Sequence, residues 1–192
     1  MSKLYFRFGA MNCGKSAALI QVAYNYEANK KKVFVIKSVI DTKGGNFLKS
    51  RVGYTRKVDL VLNTDESLRN YFDEIKKVDC VLVDEAQFLK SENVDDLFYI
   101  AKMFNIPVIC YGLKTNFKGE LFEGSKRIIE LADELEELIT ICKCGKRAKF
   151  NARYVNGVFT TKGDEVKIDG SDDMVEYIPL CGKCFLNELE KN

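Results

Sequence analysis

The eight residues Gly9-Ala10-Met11-Asn12-Cys13-Gly14-Lys15-Ser16 fit the pattern G-x-x-x-x-G-K-S/T, and no other feature of the chain restricts its fold so strongly. Glycines let backbone N–H groups turn inward around phosphates, where a side chain would block the approach. Lys15 can then reach the outer phosphates of a triphosphate, and the Ser16 hydroxyl can ligate Mg2+. The pattern has this meaning only between a strand and a helix. Leu4-Tyr5-Phe6-Arg7-Phe8 reads as the strand, and Leu19, Val22, Ala23 and Tyr26 recur at helical spacing after the loop. All eight loop residues are therefore candidates for binding a nucleoside triphosphate.

The remaining pattern extends this start into a fold. Val33-Phe34-Val35-Ile36 is a second apolar run, and the polar, glycine-containing stretch over 41–56 predicts a mobile loop. Residues 58–62 predict another strand, and 65–77 a helix with Leu68, Tyr71, Phe72 and Ile75 on one face. Cys80-Val81-Leu82-Val83 and Pro107-Val108-Ile109-Cys110-Tyr111 are short and continuously apolar, as strands buried on both sides of a parallel sheet are. Residues 94–104 between them predict a helix, and 124–138 an acid-rich helix with a solvated face. Alternating strands and helices give an α/β class, a P-loop doubly wound parallel sheet. From residue 139 the chain changes to close-spaced cysteines, glycines and short strands. The expected division is a P-loop nucleotide-binding domain over 1–138 and a small second domain over 139–192.

Asp84-Glu85 follows the apolar strand directly, which puts two carboxylates at the carboxyl edge of the sheet, facing the same crevice as the phosphate loop. Asp84 is the candidate partner of Ser16 in holding Mg2+, and Glu85 the candidate base. Cys142-Lys143-Cys144-Gly145 and Cys181-Gly182-Lys183-Cys184 are two cysteine pairs 36 residues apart. Cys142, Cys144, Cys181 and Cys184 are read as a four-thiolate structural Zn2+ site, closed to substrate.

Composition removes several alternatives. The chain of 192 residues has no histidine, which excludes a histidine base, a serine–histidine triad and histidine metal ligands. Thirty basic against 28 acidic residues leave a net charge of +2, so no global field favours nucleic acid or an anionic membrane. No apolar stretch approaches bilayer length and no signal-type segment opens the chain. Seven cysteines without a disulfide-like arrangement suit a reducing cytosol.

Taken in order along nearly the whole chain, these features resemble the thymidine kinases of the cellular and bacterial type, also found in large phages. The resemblance is carried by Met11 in the phosphate loop, Asp84-Glu85-Ala86-Gln87-Phe88, Tyr111-Gly112-Leu113-Lys114-Thr115-Asn116-Phe117, Gly119-Glu120-Leu121-Phe122, the paired cysteines, and Tyr177 four residues before Cys181. It implies transfer of the ATP γ-phosphate to the 5′-hydroxyl of thymidine, giving dTMP and ADP. It further implies Glu85 as proton acceptor, Gln87 among the ATP-site residues, and Met11, Phe88, Phe117, Phe122 and Tyr177 around the nucleoside. The same resemblance makes 1–138 the kinase domain and 139–192 a zinc-binding domain carrying a lasso over the nucleoside after the first cysteine pair, and it implies a homotetramer. A cytoplasmic location with no nucleic-acid or membrane partner is the expectation from charge, cysteine usage and the lack of an apolar span. Two segments depart from the family: Asp41-Thr42-Lys43 has lysine where many relatives have arginine, and the stretch 169–176 is longer than the usual lasso. Asp84-Glu85-Ala86-Gln87 is also similar to the acidic box of helicases. The alternative is thus a nucleic-acid-dependent P-loop ATPase, which the chain is too short to complete with a second motor domain.

Overall fold

The computed structural model describes residues 1–40, 45–163 and 174–191. β1 (Leu4–Phe8) runs through the phosphate loop into α1 (Lys15–Ala28). β2 (Val33–Ser38) is followed by a hairpin of β3 (Phe47–Lys49) and β4 (Thr55–Lys57), and by β5 (Leu60–Leu62). After the single turn α2 (Phe72–Ile75) come β6 (Cys80–Asp84), α3 (Ser91–Met103), β7 (Val108–Gly112), α4 (Glu123–Leu131) and β8 (Glu134–Glu137). A six-stranded sheet forms in the order β5-β2-β6-β7-β1-β8, and every pairing in it is parallel.

Successive strand residues point to opposite faces, so an apolar run with no polar alternation must be covered twice. Val81, Val83, Val108 and Cys110 join one cluster with Leu97, Ile100 and Ile128 of α3 and α4. Cys80, Leu82, Ile109 and Tyr111 join the other with Leu19 and Ala23 of α1. β6 and β7 are consequently buried at every residue, and their carboxyl ends, with that of β1, open on one edge. Burial pushes the Cys80 thiol up to about 12 and the Cys110 thiol well above its ordinary value, which marks both as core residues.

Two predicted helices come out differently. In 65–77 the residues expected on one face do turn inward, but only a 3-10 turn (Leu68–Tyr71) and α2 form. Asn93 accepts from Leu68 N at 2.9 Å and donates to Glu66 O at 3.0 Å, and Ser67 Oγ accepts from Arg69 N. Side chains thereby take backbone groups that a longer helix would bond internally. In 124–138 the helix stops at Leu131 and Glu134–Glu137 becomes the edge strand β8, parallel to β1. Its acidic side chains are largely exposed, as an unpaired sheet edge tolerates.

Residues 140–190 build a second set of elements. β9 (Thr140–Ile141) pairs with β10 (Arg147–Ala148), and β11 (Phe150–Val155) lies between β12 (Val158–Thr160) and β13 (Val175–Leu180) before α5 (Gly182–Glu190). Ala148, Ala152, Phe159, Leu180 and Phe185 form a separate small cluster with Cys142 and Cys181. No helix among the described residues is long and apolar enough to cross a membrane.

Candidate active site

The phosphate loop curls between β1 and α1 because its backbone is held from both sides. At Gly9 a Cβ would lie 2.4 Å from the Leu138 carbonyl oxygen, so only glycine allows that strand end to approach. Lys15 is buried, and its ammonium donates to Ala10 O at 3.1 Å and Gly9 O at 3.4 Å, inside the curl of the loop. Ser16 Oγ donates to Asp84 Oδ2 at 3.1 Å. The first helical turn of α1 and the end of β6 thus bring together two hard oxygen donors, a set that suits Mg2+.

Glu85 has φ 50° and ψ 40°, the left-handed region, which costs a non-glycine residue about 1–3 kcal/mol. The chain turns there from β6 into a 3-10 turn (Ala86–Phe88), closed by Phe88 N donating to Glu85 O at 3.1 Å. Gln87 is buried and fixes the carboxylate: its Nε2 donates to Glu85 Oε2 at 2.5 Å, and its Oε1 accepts from Leu113 N at 3.0 Å. A Cβ at Gly112 would stand 2.7 Å from Gln87 Oε1, so the end of β7 must be glycine for Gln87 to sit there.

Phe88 follows β6, Phe117 and Phe122 lie between β7 and α4, and Tyr177 lies on β13. The rings of Phe88 and Phe122 meet edge-on with centroids 5.7 Å apart. Phe117 is buried under the Arg153 guanidinium, whose carbon lies 3.7 Å from the ring centroid. Arg153 is the register partner of Tyr177 across β11 and β13. Met11 is joined to β11 through its backbone, Met11 N donating to Asn151 Oδ1 at 2.7 Å. Each apolar candidate except Met11 is thus fixed through its ring or its strand neighbour, and Met11 through its main chain.

Cys142, Cys144, Cys181 and Cys184 have their sulfur atoms within 4.8 Å of one another. Cys142 N donates to Lys146 O and Gly145 N to Cys142 O, which closes the first knuckle, while Cys181 caps α5 and Cys184 lies in its first turn. Burial opposes ionisation of Cys142, but the Cys144 and Cys181 N–H groups outweigh it and bring the thiol down to about 6. Cys181 is lowered as well, chiefly by the Cys184 N–H. Cys184 is pushed up to about 12 because it shares protons with Cys144, Cys181 and Cys142. Four clustered thiols resist joint ionisation without a cation, and a soft, tetrahedral divalent ion such as Zn2+ fits this donor set.

Two buried polar residues, Asn151 and Arg153, were outside the sequence expectation. A signal existed: Phe150, Ala152 and Tyr154 pack into the small cluster while Asn151 and Arg153 alternate with them on the other face of β11. Asp41-Thr42-Lys43 and residues 169–173 of the expected lasso stretch 169–176 lie outside the described residues.

A family model described as "Thymidine kinase" matches residues 2–185. The thymidine kinase of Francisella tularensis subsp. tularensis (strain SCHU S4 / Schu 4) is 42% identical over 191 residues, covering 95% of this chain and 96% of its own length. That of Streptococcus pyogenes serotype M3 (strain ATCC BAA-595 / MGAS315) is 38% identical over 190 residues, with 97% and 98% covered. A solved structure titled as a DNA replication initiation factor aligns over 72% of this chain and 40% of its own, at 15% identity and a TM-score of 0.42.

Proposed function

The chain belongs to the thymidine kinase family, and from that premise we propose how its residues divide the work of moving the γ-phosphoryl group of ATP to the 5′-hydroxyl of thymidine. The observation that carries the reading is Glu85, anchored by Gln87 at the end of β6, one residue after the aspartate that accepts from the phosphate-loop serine.

Residues 9–16 wrap the phosphates with backbone N–H groups, and Lys15 exchanges its loop carbonyls for phosphate oxygens. Ser16 and Asp84 hold Mg2+, which when bound offsets charge on the phosphates. Met11, Phe88, Phe117, Phe122 and Tyr177 enclose the nucleoside, and Gln87 orders the acidic turn beside the ATP site. The 5′-oxygen forms its bond to the γ-phosphorus as the bond to the bridging β,γ-oxygen breaks. Glu85 accepts the hydroxyl proton, and ADP departs with the bridging oxygen. Because the transition state is loose, the proton need leave only late, and a positioned carboxylate suffices as base.

Cys142, Cys144, Cys181 and Cys184 hold a structural Zn2+, and the chain divides into domains 1–138 and 139–192. The sulfur cluster and the separate apolar cluster around it support both statements. A homotetramer is inferred from the family resemblance and a cytoplasmic location from the cysteine usage, and light scattering on the purified protein tests the assembly.

Incubation with ATP, Mg2+ and a panel of nucleosides and nucleotides tests the activity. Thymidine is expected to become dTMP. ATP hydrolysis stimulated by nucleic acid, with no nucleoside phosphorylated, would establish the competing ATPase instead.

A further inference from the structure

We propose that Arg153 is a positioning residue for the nucleoside side of the site, acting through Phe117, Tyr177 and the stem of the segment that follows β12. The proposal rests on the reading of Phe117 and Tyr177 as nucleoside walls. Arg153 is 4% exposed. Burying a guanidinium there requires partners.

Two side-chain contacts and one strand pairing place this residue. Its guanidinium carbon stands 3.7 Å from the Phe117 ring centroid, close enough for a desolvated cation–π contact. Its backbone faces Tyr177 on β13 and Thr160 on β12, so in antiparallel register all three side chains leave the same face of the sheet. Its Nη2 donates to the carbonyl of Lys162, just after β12, and a Cβ on Gly163 would lie 2.6 Å from that nitrogen. The planar fork therefore packs on one wall of the pocket and bonds the chain just before it leaves toward β13. Lysine has the charge but not the plane or the second donor direction, so it can satisfy only part of this arrangement.

An effect on thymidine without an effect on ATP separates positioning from general stability. Steady-state kinetics on Arg153→Met and Arg153→Lys, with bound zinc measured on each, provide the test, and Phe117→Leu is the control for the underlying reading. Arg153→Met is expected to raise the KM for thymidine about tenfold, with the KM for ATP changed by less than about twofold and zinc content unchanged. Arg153→Lys should recover part of that loss. If Phe117→Leu raises the thymidine KM while both Arg153 variants match the parent, Arg153 has no positioning role. If Phe117→Leu itself leaves the thymidine KM unaltered, the nucleoside-wall reading fails first. Arg153 variants that lose zinc, or in which both KM values rise in step, make Arg153 a structural residue of the module and overturn the proposal.

Discussion

Gln87 holds Glu85 by a 2.5 Å hydrogen bond from Nε2 to Oε2, and the same side chain accepts from Leu113 N at 3.0 Å. One amide thus ties the strained residue at the end of β6 to the loop that follows β7. Glu85 would otherwise relax from a backbone conformation costing about 1–3 kcal/mol. Glu85→Gln should keep ATP binding and lose phosphoryl transfer by at least about a hundredfold, the scale of a removed general base. Single-turnover kinetics beside ATP titration would check this, and unchanged turnover would remove Glu85 from the chemistry.

Gly112→Ala probes the same arrangement from behind. The added Cβ would enter within 2.7 Å of Gln87 Oε1, and Gln87 must move to admit it. The expected result is a kcat lower by about tenfold, with zinc content and thermal midpoint little altered. A variant with full turnover would show that the position of Gln87 does not govern Glu85.

Asp133, just before β8, supplies a pH test. It accepts from Lys102 Nζ at 2.6 and 2.7 Å and from Leu4 N at 2.7 Å. Burial opposes its ionisation, but Lys102 and the Leu4 N–H outweigh burial and hold its carboxyl below the ordinary value. A lowered folded-state pKa contributes stability that is complete above the unfolded value of about 4 and is lost as pH falls through the folded value. Asp133→Asn should cost about 1 kcal/mol at pH 7, and the gap from the parent should narrow below about pH 4. Urea midpoints at pH 7 and pH 3 measure it, and a gap independent of pH would refute the assignment.

The parallel sheet is legible in the chain because β6 and β7 are apolar at successive residues, a pattern that only two-sided burial explains. β8 is not, since Glu134–Glu137 pairs through its backbone at an exposed edge and its side chains show no alternation into a core. The acidic pair after β6 and each of the two cysteine pairs are equally plain, because each is a pattern of a few adjacent residues. Asn151 and Arg153 act on partners far away in sequence. Asn151 meets Met11 across 140 positions, and a contact of that kind is fixed by how β11 lies against the loop rather than by any local motif.

That contact predicts a dependence of ATP binding on the cysteine cluster. β11 pairs with β13 from Phe150 opposite Leu180 to Val155 opposite Val175, and Leu180 immediately precedes Cys181. Loosening the four-cysteine cluster is therefore expected to free the strand whose Asn151 accepts from Met11 N in the phosphate loop. Chelation, or Cys142→Ser, should weaken ATP binding as well as thymidine binding, with hydrogen exchange rising first in residues 140–160 and then in the phosphate loop. Asn151→Ala, which leaves the cysteines untouched, should keep zinc bound and raise the KM for ATP by about tenfold, the scale of one buried hydrogen bond. Zinc-free protein that binds ATP as tightly as the parent would show that the loop holds its shape without β11.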